Sequence, residues 1–219
     1  GLMARNTISH QYKKVDDLLG ADYVLDIDKY ADTDYPGDAD QSQKDLNRPN
    51  RRVFKGGIFD YDYKLNINSV MGWLNNLYNK GRWEGYYGVK LTYTDFFRDG
   101  KMRNGLFSES SYGKSGTARF LEGGGKASLI WSMGGGNTLQ LGQGYQYNAP
   151  TPYVSFVAPE LNNDFVRDLK NERVYSAELG FQHQSGRIHL NLNGFHTHLS
   201  NVSDWQCFYF DDINSFSYV

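Results

Sequence analysis

Residues 137–148 read NTLQLGQGYQYN. Leu139, Leu141, Tyr145 and Tyr147 fall on one parity, interrupted by Gln143; Thr138, Gln140, Gly142, Gly144, Gln146 and Asn148 fall on the other. A strand sends successive side chains to opposite faces, so this stretch predicts a strand with one apolar face and one small, polar, uncharged face. The second face is unlike the charged outer surface of most soluble sheets.

The same period recurs. Tyr87, Val89, Leu91 and Tyr93 alternate with Gly88, Lys90, Thr92 and Thr94. Over 57–67 the odd positions include Phe59, Tyr61, Tyr63, Leu65 and Ile67, against Asp60, Asp62, Lys64 and Asn66. Residues 174–182 and 187–193 repeat it, and fainter strands are expected near 2–10, 126–133 and 213–219. That makes about eight strands in one unit spanning 1–219. The expected class is all-β, an antiparallel up-and-down meander.

The connections fall into two kinds. Residues 75–84, Gly134–Gly136 and Gln184–Gly186 are short, and the last two carry the glycines that tight hairpins need. Residues 11–52, 98–124, 149–173 and 200–212 are long. Long and short alternate along the chain, so in a meander all long loops lie at one end of the sheet. Outer-membrane barrels combine short periplasmic turns with long extracellular loops on strands of about 9–11 residues. The expectation is therefore a segment of a transmembrane β-barrel. A soluble β-module that binds a ligand or carbohydrate, and a complete small eight-stranded membrane barrel, are the alternatives. Residues 87, 89, 91, 93, 139, 141, 145 and 147 facing into a closed dry core would mark the soluble module; facing outward on a sheet that closes at eight strands, they would mark the small barrel.

Composition agrees with strands. The chain holds 17 Tyr, 13 Phe, 4 Trp and 24 Gly in 219 residues. Alanine is scarce, which disfavours helical bundles and doubly wound α/β folds. Mean hydropathy is −0.64, and no apolar run approaches the roughly 18 residues of a membrane helix. Alternation lowers such an average without excluding strands that cross a bilayer. Trp73, Trp83, Tyr86, Tyr87, Trp131, Tyr145, Tyr147, Tyr175 and Phe195 sit at strand ends, where an interfacial aromatic girdle is expected. A net charge of −2 gives no pull toward nucleic acid. The single Cys207 has no partner for an internal disulfide. The start, GLMARNTISH, shows no apolar signal region, which leaves a cytoplasmic protein or a piece of a longer precursor.

Several segments are similar to TonB-dependent outer-membrane receptors, of the kind abundant in Bacteroidetes. They are DLLGADYVLDID (17–28), LNRPNRRVFKGGIFDYDY (46–63), FFRDGKMRNG (96–105), SSYGKSG (110–116), FLEGGGKASL (120–129), 147–181 and FYFDDINSFSYV (208–219). Within 147–181, the likeness rests on Ala149–Pro150 leaving a strand, an Asn-containing middle, and Glu172, Glu178 and Leu179 on the return. The resemblance implies the later part of a barrel of about 22 strands, with no plug domain visible. It implies a bacterial outer-membrane location and a receptor that binds and imports a scarce nutrient, with lipid, TonB and a plug domain as partners of the intact protein.

Candidate sites follow from the loops. Arg98, Lys101, Arg103 and Lys114 make the 98–126 stretch basic, and with Tyr112 and Tyr153 they are the candidate ligand contacts. Gly123–Gly125 before Lys126 would suit an anion, but the spacing is not that of a P-loop. Residues 16–40 hold nine aspartates. Asp32, Asp34, Asp38 and Asp40 offer oxygens of the kind Ca²⁺ takes, without EF-hand spacing; a solvated acidic loop is the simpler reading. An acidic–basic contact between these two loops is expected to steady a lid. His196 and His198 share a strand face, but two imidazoles fall short of a metal site. No metal or cofactor is expected. No nucleophile elbow, HExxH or paired carboxylates appear, so no enzyme is expected.

Overall fold

The computed structural model describes residues 1–204 and the strands Cys207–Phe210 and Ser215–Tyr218. In chain order the elements are β1 (Leu2–Lys14), β2 (Val24–Leu25), α1 (Ala31–Asp34), β3 (Arg52–Val53), β4 (Ile58–Lys80) and β5 (Trp83–Gly100). There follow β6 (Gly113–Lys114), β7 (Ala118–Gly134), β8 (Asn137–Asn148), β9 (Glu172–Ser185), β10 (Ile188–Ser200), β11 (Cys207–Phe210) and β12 (Ser215–Tyr218). The main sheet is an antiparallel meander in the order β1-β4-β5-β7-β8-β9-β10, with two-residue β6 on β5. It curls into a half-barrel.

Seven long strands carry the sheet. The eighth expected, 213–219, is present as Ser215–Tyr218 but pairs with Cys207–Phe210 in a sheet of its own. A hairpin between near neighbours closes a short loop, which costs less entropy than a distant edge. Ile213, Asn214 and Val219 lie outside the described residues. Among the described helices none is long and apolar enough to cross a membrane, which says nothing of strands.

The loop ends segregate as expected. Residues 15–57, 101–117 and 149–171 lie at one end with the segment after β10, and three tight turns lie at the other. Two connections are shorter than the sequence reading. Residues 75–84 are nearly all strand: Asn75–Lys80 pairs with Trp83–Gly88, leaving a turn at Gly81–Arg82, with Gly81 at φ 64°. The 98–124 loop shrinks to 101–117, because Arg119–Gly125 is strand paired with Val89–Asp95.

Cross-strand partners share a face, so the register fixes what each face holds. One face carries Tyr87, Val89, Leu91 and Tyr93 on β5, opposite Ala127, Gly125, Gly123 and Leu121 on β7. It continues through Leu129–Leu141–Leu179 and Trp131–Leu139–Phe181. This apolar face is open: Val89 is 51%, Leu91 54%, Leu141 53% and Leu179 53% exposed. The other face carries Lys90, Thr92, Glu122, Gly124, Lys126 and Ser128, then Gly142, Gly144, Ser176 and Glu178. A groove of about 410 Å³ runs along this polar face, lined by Lys126, Ser128, Gln140, Gly142 and Glu178 among others. The apolar side chains thus point outward and do not build a closed dry core.

The girdle expectation holds only in part. Trp83, Tyr87, Trp131, Tyr145, Tyr147 and Tyr175 are on the apolar face, where Trp83 and Trp131 stack at 5.2 Å. Trp73 pairs with Lys90, Tyr86 with Ser128 and Phe195 with Glu178, which puts these three on the polar face.

Toward the loops the two faces exchange character. The outer face turns polar: Asn6 Nδ2 donates to Asn68 Oδ1, and Asn68 Nδ2 to Asp95 Oδ1. The inner face turns dry, with Tyr63, Leu65, Phe96, Phe120 and Phe156 forming the buried core. This corrects the 57–67 reading. Tyr63, Leu65 and Ile67 share the inner face with Phe96, and the single-face pattern breaks at a bulge, where Tyr12 pairs with Asp62 but Lys13 with Phe59. Asp60 sits in that bulge at φ 68°, its N–H donating to Asp26 Oδ1 at 2.8 Å. Asp tolerates the left-handed region better than most residues, and the bulge re-aims its carboxylate.

Candidate functional site

The candidate site is the loop end of the half-barrel and the polar inner wall below it. β4 has 23 residues and β5 has 18, about twice the roughly 9–11 residues a bilayer crossing needs. The wall therefore continues past the apolar band, and the loops fold inward against this extension.

Residues 149–171 form a folded cap. Phe156 and Phe165 bridge and stack at 4.5 Å, and both meet Phe96 edge-on, at 6.4 and 6.3 Å. Val157 N donates to Asp164 O, and Val166 N to Ser155 O, so the cap satisfies part of its own backbone. Arg98 fixes it to the wall. Its Nε donates to Pro159 O at 2.6 Å, and its Nη1 to Ser111 O at 2.8 Å and Asn163 Oδ1 at 2.6 Å. The guanidinium lies 4.9 Å from the Tyr63 ring centroid.

Arg98 is 2% exposed and is a structural clamp, not the ligand contact expected from its charge. Lys101 pairs with Asp99 at 2.5 Å. Arg103 donates to Ser108 O at 2.8 Å and pairs with Glu109 at 3.0 Å. Lys114 lies 5.2 Å over the Phe97 ring. Tyr112 and Tyr153 are exposed at the loop end. The six residues do not converge on one pocket. The expected contact between acidic and basic loops takes another form. Residues 43–46 and 103–105 pair through backbone, Leu46 N to Arg103 O at 2.7 Å and Gly105 N to Gln43 O at 2.8 Å, while Asp45 Oδ1 accepts from Arg103 N.

The aspartates serve local order. Asp38 accepts from Asp40 N and Gln41 Nε2; Asp34 stands in the four-residue α1; the Asp32 side chain lies outside those described. His196 and His198 share the outer face, opposite Ala177 and Tyr175. Among the described residues no three of His, Cys, Asp and Glu converge as a metal set. Gly123–Gly125 is strand, its flanking residues paired on both sides, so it forms no anion-binding loop. On the outer face Tyr147 covers Gly123: a Cβ there would stand 2.7 Å from the tyrosine hydroxyl. Such aromatic cover compensates a strand glycine.

Sequence reasoning missed the ion network under the cap. Lys44 Nζ bridges Asp28 at 2.9 Å and Asp60 at 3.0 Å, and Asp60 also takes Lys13 at 2.9 Å. Burial opposes the charged forms, but the mutual attraction wins: the Lys44 pKa lies above and the Asp28 pKa below its ordinary value. Glu160 is on the cap. Burial, then the negative charge of Asp60, pushes its carboxyl up against the weaker pull of Lys13 and Lys44. Burial and Glu160 likewise push the Tyr153 phenol up. The signal for this network was the one lysine, Lys44, after a run of aspartates; its partners come together only in the fold.

Chemically, the arrangement is a wall and a cover. The inner face offers ammonium, carboxylate, hydroxyl and amide groups, as where Lys90 donates to Asn148 Oδ1 at 3.3 Å and Thr94 bonds Glu122. Comparison of the chain with models of known protein families, with curated proteins and with solved structures returns no match.

Proposed function

We propose that the chain is a wall segment of a bacterial outer-membrane receptor of the TonB-dependent kind, which binds a scarce nutrient at its loop end and admits it through the lumen. The observation that carries this reading is the pairing of an outward apolar band with an inward polar wall, all long loops lying at one end. A soluble module would bury the apolar face. The sheet edges support the segment over a complete small barrel. Among the described residues β1 pairs only with β4 and β10 only with β9. Both edge strands run toward the loops, so antiparallel closure needs an odd number of further strands. In the intact receptor these complete the barrel, a plug domain fills it, and TonB supplies the energy coupling. Lipid meets the band, nucleic acid has no part, and the chain does binding and conduction without catalysis.

The test is topology in cells producing the whole receptor. An epitope inserted after Ser108 should bind antibody on intact cells. One inserted after Gly135 should bind only after the outer membrane is permeabilised. Equal labelling of both on intact cells, or labelling of neither after permeabilisation, counts against the reading.

A further inference from the structure

At the sheet's rim, just loop-side of the apolar band, a groove of about 550 Å³ is lined by Arg119, Tyr145, Tyr147 and Arg173 from the outer face and by Lys170 and Leu169 from the cap, with the core residue Phe120 at its floor. Arg119 enters on β7 and Arg173 on β9, both on the outward face, and Tyr147 is the cross-strand partner of Arg173. Lys170 comes from the end of the cap. Asn171 Nδ2 donates to Leu121 O at 3.2 Å and Asn201 Nδ2 to Asn171 O at 3.4 Å, tying this segment to the wall.

Three cations meet here, and among the described residues no hydrogen bond or ion pair engages the side chain of any of them. Two nearby carboxylates accept hydrogen bonds from other groups and ion-pair with none of the three. Asp95, the cross-strand partner of Arg119, accepts from Asn68, and Glu172 accepts from Ser203 N. By contrast, Arg98, Lys101 and Arg103 at the same end of the sheet are each held by a partner. An unmatched set in one groove is a docking place for an anion, and guanidinium forks suit phosphate.

The position selects the source of that anion. Below the groove lie Leu121, Tyr145 and Tyr175, the upper edge of the apolar band. A ligand seated here has its charged group against Arg119, Lys170 and Arg173 and its hydrocarbon along the band. We infer that this groove holds the phosphate headgroup of an outer-leaflet lipid. The inference rests on the membrane reading above and adds a specific lipid contact to it.

Vesicle flotation of the full chain tests both and tells them apart. Zwitterionic phosphatidylcholine vesicles report the apolar band alone. Vesicles doped with phosphatidic acid add the phosphate monoester. Each basic group near an anionic surface is worth roughly a factor of five in partitioning, so doping should raise binding by about tenfold or more. R119Q/K170Q/R173Q should lose that gain and still float on phosphatidylcholine. K14Q/K29Q/K55Q, which removes equal charge from the end of β1 and the loop after it, should keep most of it. Equal binding of wild type to both vesicles, or an equal loss in the two triple variants, overturns the lipid site and leaves the membrane reading standing. No flotation on either vesicle overturns both. If millimolar inorganic phosphate in solution abolishes the preference, the groove takes free phosphate and the lipid assignment falls.

Discussion

Phe96→Ala is expected to cost about 3–5 kcal/mol of stability, the range for deleting a buried aromatic side chain. Phe96 is fully buried, at 0% exposure, and its ring meets Phe120, Phe156 and Phe165 together. Removing it takes the wall side out of the cap contact. The cap cannot collapse to refill the space, because Arg98 holds Pro159 and Asn163 at fixed hydrogen-bond distance. The loss should show as a lower denaturation midpoint in detergent micelles. It should also show as faster protease cleavage within 149–171, with cleavage in the turns at 81–82, 135–136 and 186–187 unchanged. Phe96→Leu keeps an apolar filler and should lose about half as much. Unchanged protease resistance in Phe96→Ala would mean that the cap is held by something other than this core.

Leu141→Arg should cost about 2–4 kcal/mol in a bilayer, as for a cation at the midplane of a membrane barrel's outer face. Leu141 lies mid-band, between Leu129 and Leu179. Gln140→Arg, one residue away, points at the inner wall between Ile130 and Gly180 and should stay within about 0.5 kcal/mol. The contrast is the informative quantity, because strand propensity and backbone strain are nearly common to both sites. Folding yield into vesicles as a function of denaturant measures it. Equal penalties at the two positions would contradict the assignment of faces.

The strands and their loop ends were legible because period two is a local signal: residues 137–148 and 87–93 carry it without help from distant contacts. The exchange of faces was legible too, but easily passed over. On β5 the apolar parity runs through Tyr93 and resumes at Phe96, one parity over, which marks where the outer band stops and the inner core begins. What local pattern hides is whatever depends on another segment. Asn75, Asn76 and Asn79 read as a turn, yet ladder pairing to Gly88, Tyr87 and Glu84 holds them extended. Gly123–Gly125 reads as a loop until Tyr145 and Tyr147 are laid against it. Arg98 reads as an exposed cation because the carbonyls that bury it come from Ser111 and Pro159, 13 and 61 residues away.

The assignment of faces is tested most directly by collision accessibility of single spin labels in lipid, after Cys207→Ser. Labels at 89, 91, 129, 141 and 179 should collide with oxygen and be shielded from a water-soluble nickel chelate. Labels at 90, 126, 128 and 178 should show the reverse, with the pattern alternating residue by residue along β5 from 87 to 93. Chelate access that is equal on the two parities, or greater on the odd one, would contradict a lipid-facing band and a water-lined inner wall.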